Sequence, residues 1–183
     1  MKLAIFDMDG TLYNTNDVNY FAYKTALNTF GVDLDYDYYC NYCNGRHYKV
    51  FIPPLVDNDE EKIEEVHKIK KNAYSKYLDK VKVNERLFDI IRLIKSEYKI
   101  VLVTTASKKN TEEILKYTKK IELFDEIITA DDISKPKPDP EGFNLAIQRF
   151  NVDPKDAIIF EDAEVGIEAA RKTGAVIFKV EKF

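Results

Sequence analysis

Long apolar runs are missing from this sequence, and so is a basic leader before an apolar stretch. The longest apolar runs span about five or six residues, far short of the roughly 20 that a helix needs to cross a bilayer. The first residues already read as a strand, which is unlike a targeting segment. We therefore expect a cytoplasmic protein with no membrane partner.

Cysteine is scarce, since Cys40 and Cys43 are the only two in the chain. They form the pattern C-N-Y-C, and no second pair is present to complete a zinc site. A redox C-x-x-C usually lies beside a βαβ unit, whereas this one lies in a polar, Tyr-rich segment. The sequence favours two reduced thiols without a function.

An excess of basic residues is also absent. The chain has 28 Lys and Arg against 32 Asp and Glu, a net charge of −4 and a pI of about 5.4. This balance excludes a general electrostatic attraction to nucleic acid, although it allows a small basic pocket. With 183 residues and 45% hydrophobic content, the chain suits one domain, or one domain with a modest insertion.

The order of short apolar runs and helical patterns predicts the fold class. From the second apolar run onward, a helical pattern separates each run from the next. Strands are predicted near residues 2–6, 99–103, 126–129, 157–160 and 175–180. Alternation of strand and helix indicates an α/β fold with a doubly wound, Rossmann-like parallel sheet of five strands. Asn84 is predicted to cap one helix, and Asn110 with Glu113 forms a candidate capping box for the next.

The segment 16–81 lacks strand-like runs. Apolar residues recur there at helical spacing, and residues 57–80 predict one long amphipathic helix. We therefore expect a core domain formed by residues 1–15 and 82–183, with a small α-helical domain, residues 16–81, inserted after the first strand.

Polar residues follow four of the predicted strands. Because the carboxyl ends of parallel strands lie at one edge of the sheet, these residues are expected to meet there. The set contains Asp7, Asp9, Thr104, Thr105, Lys135, Glu161 and Asp162. Carboxylates with a lysine and hydroxyl groups suit phosphoryl transfer assisted by Mg²⁺.

Each of these signals also has an ordinary structural explanation. Thr104 and Thr105 are common β-branched strand residues. Lys135, between Ser134 and a proline, could lie in a rigid surface loop, and Glu161 with Asp162 could simply cap a helix. Their joint placement after successive strands favours the functional interpretation.

Four motifs carry a family resemblance that covers essentially the whole chain. DMDGT, IVLVT, SKPKPDP and IIFEDAEVGIEAA occur in the order of the four motifs of the haloacid dehalogenase superfamily. The chain most resembles the phosphatase and β-phosphoglucomutase-like branch, and the insertion resembles that superfamily's helical cap. The resemblance implies a Mg²⁺-dependent enzyme in which the cap serves as a mobile lid.

The resemblance also implies roles for individual residues. Asp7 would be the nucleophile, and Asp9 the general acid and base whose carbonyl reaches the metal. Thr104 and Thr105 would bind the phosphoryl group, and Lys135 would neutralise Asp7. The implied Mg²⁺ ligands are Asp7, Asp9 and Asp162, with Glu161 as a ligand or as a partner of one.

Two cap residues bear on the reaction. Arg46 could pair with a substrate anion or could be a solvated loop residue. Asn19 stands where related mutases have a His that couples substrate binding to the acid, which favours hydrolysis over mutase activity. We predict a phosphomonoester hydrolase that acts through an aspartyl-phosphate on a small metabolite such as a sugar phosphate, phosphoglycolate or a nucleotide. The alternatives are a phosphosugar mutase and a non-catalytic binding protein, and a monomer is expected.

Overall fold

Strands and helices alternate along most of the computed structural model, which describes residues 1–181 and 183. The strands are β1 (Lys2–Phe6), β2 (Tyr13–Asn14), β3 (Lys82–Val83), β4 (Tyr98–Val103), β5 (Glu126–Ile128), β6 (Ala157–Glu161) and β7 (Val176–Lys179). The α-helices are α1 (Asn16–Asn28), α2 (Tyr36–Tyr38), α3 (Tyr48–Phe51), α4 (Glu60–Ala73), α5 (Glu85–Ile94), α6 (Lys108–Tyr117), α7 (Glu141–Arg149) and α8 (Glu164–Arg171). Among the described residues, no helix combines the length and apolar character needed to span a membrane.

The main sheet has five parallel strands in the order β5-β4-β1-β6-β7. Strand β1 is central, and its last residue, Phe6, pairs with Leu102 on one side and Phe160 on the other. The predicted α/β class with a five-stranded parallel sheet is confirmed. Since all five strands run the same way, their carboxyl ends share one edge.

The chain divides into two compact units. The first consists of Met1–Asn14 and Lys82–Phe183, and the second of Thr15–Val81. Within the first unit, β2 and β3 form a short antiparallel ribbon at the points where the chain leaves this unit and returns to it. The function of the second unit as a cap stays a prediction.

The core of the first unit follows from the two-residue period of its strands. Leu3 and Ile5 of β1 belong to a buried cluster that includes Phe143 and Ala146 of α7. Successive side chains alternate between the faces of a sheet, so Ala4 and Phe6 are buried on the opposite face. Burial on both faces explains why β1 is apolar throughout its length after Lys2.

The second unit has an apolar core of its own. Tyr20 and Leu27 of α1 pack in one cluster with Ile63 and Val66 of α4. Tyr23 makes an edge-on contact with Phe51, with 5.0 Å between ring centroids. Aromatic side chains supply much of this core, which explains the many tyrosines of the segment.

Two predicted helical features differ from the structure. The single helix predicted over 57–80 is α4, capped by Asp59, followed by a 3-10 segment, Tyr74–Lys80. The predicted capping box of Asn110 is wrong, because α6 begins three residues earlier and its cap is Ser107, which accepts a hydrogen bond from the Asn110 N–H. The prediction that Asn84 caps α5 is confirmed.

Candidate active site

Asp7 is the first residue after the central strand. Its backbone N–H donates to the Phe160 carbonyl at 3.0 Å, which continues the pairing of β1 with β6. The side chain is buried, an expensive position for an unpaired carboxylate. The arrangement around Asp7 must therefore supply a compensating charge.

Lys137 supplies that charge. Its Nζ donates to Asp7 Oδ1 at 2.5 Å and to Glu161 Oε2 at 2.8 Å. Only 10% of the Lys137 side chain is exposed, and the ammonium lies 4.9 Å from the centre of the Phe143 ring. Lys137 thus bridges two buried carboxylates across the β1–β6 boundary.

Glu161, the last residue of β6, is held by several donors. Besides the Lys137 bond, its Oε1 accepts from the backbone N–H groups of Asp162 and Ala163, each at 3.1 Å. A Cβ on Gly166 would lie 2.0 Å from Glu161 Oε2. The carboxylate therefore occupies space that any side chain at position 166 would fill.

Asp162 is oriented by the loop that follows β1. Thr11 is buried, and its Oγ1 donates to Asp162 Oδ1 at 2.9 Å. Gly10 has a φ of +94°, and a Cβ there would lie 2.2 Å from Asp162 Oδ2. A glycine is needed both for this backbone conformation and for the close approach of the carboxylate.

Three carboxylates converge at this edge. Asp7, Glu161 and Asp162 each offer an oxygen, and these oxygens lie within 4.8 Å of one another. Hard oxygen donors of this kind fit Mg²⁺, which is commonly bound through one or two carboxylates together with substrate phosphate oxygens and water. Asp7 and Asp162 fit best as ligands, because both Glu161 oxygens already accept hydrogen bonds from Lys137 and the backbone.

Burial and the neighbouring charges raise the pKa values of Asp7, Asp162 and Lys137. Burial raises the pKa of the Asp7 carboxyl well above its ordinary value, and the Lys137 ammonium offsets this only in part. Burial also raises the pKa of Asp162, against the hydrogen bond from Thr11. Burial opposes the charge on Lys137, but Asp7 and Glu161 outweigh it, so the pKa of Lys137 is raised. The site as it stands carries more negative charge than one lysine balances.

The predicted phosphate-binding threonines lie beside Lys137. Thr104 follows β4 and is buried, and its Oγ1 accepts from the Ala106 N–H at 3.0 Å, while Thr105 is exposed. Thr104, Thr105 and Lys137 together line one small cleft, with Asp139 and Phe143 among its other walls. The structure therefore brings together hydroxyl groups, backbone and a cation at the edge where the sequence placed them.

The lysine at the site corrects the sequence-based prediction, since Lys135 was expected and Lys137 is found. Lys135 is exposed, and its backbone N–H donates to Glu141 Oε2 at 2.7 Å. Ser134 also bonds the Glu141 carboxylate through its own N–H and hydroxyl. These bonds fix the first Lys-Pro dipeptide at the surface, and the second one carries its lysine inward.

The other predicted residues, Asp9, Asn19 and Arg46, lie outside this acidic cluster of the described residues. Asp9 is half-buried after β1, close enough to raise the pKa of Asp7, but its carboxylate is not part of the acidic cluster found among the described residues. Asn19 and Arg46 belong to the second unit. Asn19 donates to Thr15 Oγ1 at 3.2 Å, and Arg46 is exposed. Their functions stay predictions.

Sequence reasoning missed four residues that shape this site: Gly10, Thr11, Lys137 and Gly166. The two glycines act by lacking a side chain; both lie within quoted motifs, DMDGT and IIFEDAEVGIEAA, but only the fold shows which carboxylates approach them. Thr11 belongs to the quoted DMDGT motif, so its hydroxyl was a usable signal. Lys137 was visible as the second of two Lys-Pro dipeptides.

The chain is similar in sequence and in fold to several known proteins. The chain is 34% identical to validoxylamine A 7'-phosphate phosphatase of Streptomyces hygroscopicus subsp. limoneus, over 94% of this chain and 82% of that protein. It is 30% identical to a phosphorylated carbohydrates phosphatase of Thermotoga maritima, over 95% and 82% of the two chains. The structure of CbbY from Rhodobacter sphaeroides in complex with phosphate is similar with a TM-score of 0.84 and 25% identity, over 100% of this chain and 88% of the other.

The family itself is established by a match over nearly the full length. The sequence profile of haloacid dehalogenase-like hydrolases matches residues 4–180, which include all four motifs. The predicted family is thereby confirmed, and this chain belongs to the haloacid dehalogenase-like hydrolases.

Proposed function

We propose that this protein is a Mg²⁺-dependent phosphomonoester hydrolase that works through an aspartyl-phosphate on Asp7. The observation that carries the proposal is the contact of Lys137 with both Asp7 and Glu161, next to Asp162. A buried nucleophile needs its charge balanced before an anionic phosphate can approach. Lys137 provides one positive charge, and the acidic cluster calls for more.

Asp7 and Asp162 would hold the metal ion, which supplies charge neutralisation for the nucleophile and the phosphoryl oxygens. Glu161 would orient Lys137, since its two oxygens are fixed by the ammonium and by backbone N–H groups. Thr104 and the backbone after it would bind the transferring phosphoryl group. In this division Asp7 is both nucleophile and metal ligand, Asp162 is a metal ligand alone, and Glu161 positions the lysine.

The reaction would proceed in two displacements. An oxygen of Asp7 attacks phosphorus, the bond to the ester oxygen breaks, and Asp9 gives its proton to that leaving oxygen. In the second step water attacks the same phosphorus and gives a proton to Asp9. The bond to Asp7 then breaks, and inorganic phosphate and the free Asp7 carboxylate remain.

Among substrates, we propose small phosphorylated carbohydrates. Two relatives that are at least 30% identical over most of both chains are named as phosphatases of validoxylamine A 7'-phosphate and of phosphorylated carbohydrates. A bacterial relative at 31% identity is named as a pyrophosphatase, so a phosphoanhydride belongs in the same screen. Arg46 is the proposed contact for a second anionic group of the substrate. We also propose that the enzyme is cytoplasmic.

The test combines turnover with trapping of the intermediate. Purified wild type should release phosphate from p-nitrophenyl phosphate with Mg²⁺ and lose this activity with EDTA, and Asp7→Asn should be inactive. Acid quenching with ³²P-labelled substrate should leave label on wild type and none on Asp7→Asn. Equally slow release of phosphate by wild type and Asp7→Asn would refute the proposed phosphatase activity.

A substrate panel separates the proposed hydrolase from the mutase alternative. It should include sugar phosphates, phosphoglycolate, nucleoside monophosphates and pyrophosphate, with free phosphate as the readout. A hexose 1-phosphate should yield hexose and phosphate. Appearance of the 6-phosphate instead would identify a phosphosugar mutase.

A further inference from the structure

The side chain and the backbone N–H of Asn84 make three hydrogen bonds where the chain re-enters the first unit. Its Nδ2 donates to the Thr11 carbonyl at 3.1 Å, and its backbone N–H donates to the Leu12 carbonyl at 2.9 Å. Its Oδ1 accepts from the Leu87 N–H at 3.4 Å and caps α5. The residue is 8% exposed, so water does not readily replace these bonds. Asn84 therefore ties the start of α5 to the loop that follows the nucleophile.

That loop ends on the metal-site carboxylate. The Thr11 hydroxyl donates to Asp162 Oδ1, and Asp162 Oδ2 packs over the missing side chain of Gly10. The position of the Thr11 backbone sets the direction of the Thr11 hydroxyl. Asn84 fixes that backbone because it donates to the Thr11 carbonyl. A continuous path of hydrogen bonds thus runs from Asn84 through Thr11 to Asp162.

A capping function alone does not account for this residue type. Asp and Ser would supply the acceptor that α5 needs about equally well. Among the good capping residues, only Asn also offers a side-chain N–H donor with an acceptor. The donor is the half of the side chain that faces Thr11.

We propose that Asn84 is a positioning residue for Asp162, acting through Thr11 to set the affinity of the site for its divalent cation. The inference rests on the proposed function, because it takes Asp162 to be a metal ligand. It makes the residue between β3 and α5, where the chain has just returned from the second unit, part of the support of the metal site. A residue that contacts a metal ligand typically changes affinity by about 10–100-fold, and we expect an effect at or somewhat below the lower end of that range here, because Asn84 reaches Asp162 only through Thr11.

The test uses variants that keep the cap and remove the donor. Asn84→Ser retains an acceptor for α5 but cannot reach Thr11, and Thr11→Val removes the hydroxyl at nearly constant shape. Calorimetric titration of the free proteins with Mg²⁺ should show the dissociation constant raised about 5–10-fold by each. The double variant should bind Mg²⁺ no more weakly than the single variant with the lower affinity, because both changes break the same path of hydrogen bonds. Asp153→Ala, which removes an exposed cap far along the chain, should leave the constant unchanged.

A second readout separates positioning from a loss of stability. At saturating Mg²⁺ the kcat of Asn84→Ser should return to within about threefold of wild type, and its circular dichroism spectrum without Mg²⁺ should match that of wild type, which a damaged fold would not do. If Asn84→Ser does not fold, Asn84→Asp keeps an equally good cap and should weaken Mg²⁺ binding in the same way. An unchanged Mg²⁺ constant, or effects of the two positions that simply add, would overturn the proposal.

The outcomes also distinguish this inference from the proposed function. A wild type that binds Mg²⁺ with the predicted dependence on Asn84, yet hydrolyses no phosphoester, would refute the function and support the positioning. If the wild type is active but its Mg²⁺ dissociation constant does not change on substitution of Asn84, the proposed function is supported and the positioning by Asn84 is refuted. A wild type that binds no Mg²⁺ would overturn the metal site and this inference together.

Discussion

The carboxylate of Asp162 lies where a methyl group on Gly10 would be, since a Cβ at that position falls 2.2 Å from Asp162 Oδ2. This relationship links the loop after β1 to the loop after β6 at the point where the metal is proposed to bind. Only glycine fits at position 10 without displacing the Asp162 carboxylate.

We expect Gly10→Ala to lower kcat/KM by about 100-fold, because displacement of a reacting or liganding group by about 1 Å has effects of that size. The measurement is steady-state hydrolysis of p-nitrophenyl phosphate over a range of Mg²⁺ concentrations. Gly10 also has a positive φ, so a control variant must show how much activity is lost through backbone strain alone.

The control is Gly174→Ala. Gly174 has a similar φ of +80°, but the nearest atom to its Cβ position is Pro154 Cβ at 3.8 Å, an ordinary contact. This variant should lose about 1–2 kcal/mol of unfolding free energy from strain and keep its activity. Equal losses of activity in both variants would show that strain, and not the approach of Asp162, is decisive.

The two lysines of the SKPKPDP segment provide a matched pair. Lys137→Met keeps the length of the side chain and removes the charge between Asp7 and Glu161, so kcat should fall by roughly 10²–10³-fold. Lys135 is exposed, and Lys135→Met should stay within about twofold of wild type. The reverse pattern in p-nitrophenyl phosphate turnover would restore the assignment made from sequence.

The sheet and the meeting of the acidic residues could be predicted because both depend on short-range patterns. A β-branched run such as residues 100–103 reads as a buried strand, and parallel strands bring their carboxyl ends together whatever the details. Asp7, Glu161 and Asp162 therefore meet as expected. The family prediction rested on the same residues, and the match over residues 4–180 confirms it.

The choice between Lys135 and Lys137 could not be made in this way. Both precede a proline, and the difference lies in Glu141, whose carboxylate binds the N–H groups of Ser134 and Lys135. That contact spans six or seven residues of irregular chain and has no periodic signal. The change from α4 to a 3-10 segment at Tyr74 was missed because apolar spacing continues through it.

His67 of the second unit should make stability depend on pH. Its ring stacks on Tyr48 with 3.8 Å between centroids, and its buried Nδ1 has no hydrogen-bond partner among the described residues. Burial, with help from Lys70 and Lys71, lowers the pKa of His67 to about 4. The unfolded chain, with an ordinary pKa near 6.5, binds the proton more readily.

Its contribution is therefore fully present above about pH 6.5 and is lost as the pH falls toward 4. We expect this side chain to reduce the free energy of unfolding by about 1–2 kcal/mol over that range, after allowance for solvent screening. Urea unfolding followed by circular dichroism at pH 7 and pH 4.5 should show a smaller decrease for His67→Phe, which keeps a ring against Tyr48. The same decrease in both proteins would contradict the prediction.

Tyr13 should be a stability residue and not a catalytic one. It is fully buried in β2, and its Oη lies 2.8 Å from Thr118 Oγ1, which also donates to the Ile114 carbonyl at 2.8 Å. The Tyr13 hydroxyl is therefore the donor of the pair, since Thr118 has one hydrogen to give. Burial raises the pKa of Tyr13, so the group stays neutral.

Tyr13→Phe removes this hydrogen bond without changing the packing of the ring against Phe88. The expected loss of unfolding free energy is about 1 kcal/mol, the usual net value of a neutral hydrogen bond, because Thr118 keeps its bond to Ile114. Tyr42→Phe, at an exposed tyrosine of the second unit, should change stability by less than about 0.5 kcal/mol. Both variants should keep wild-type kcat, and a large fall in kcat for Tyr13→Phe at unchanged stability would show that its hydroxyl acts on the reaction.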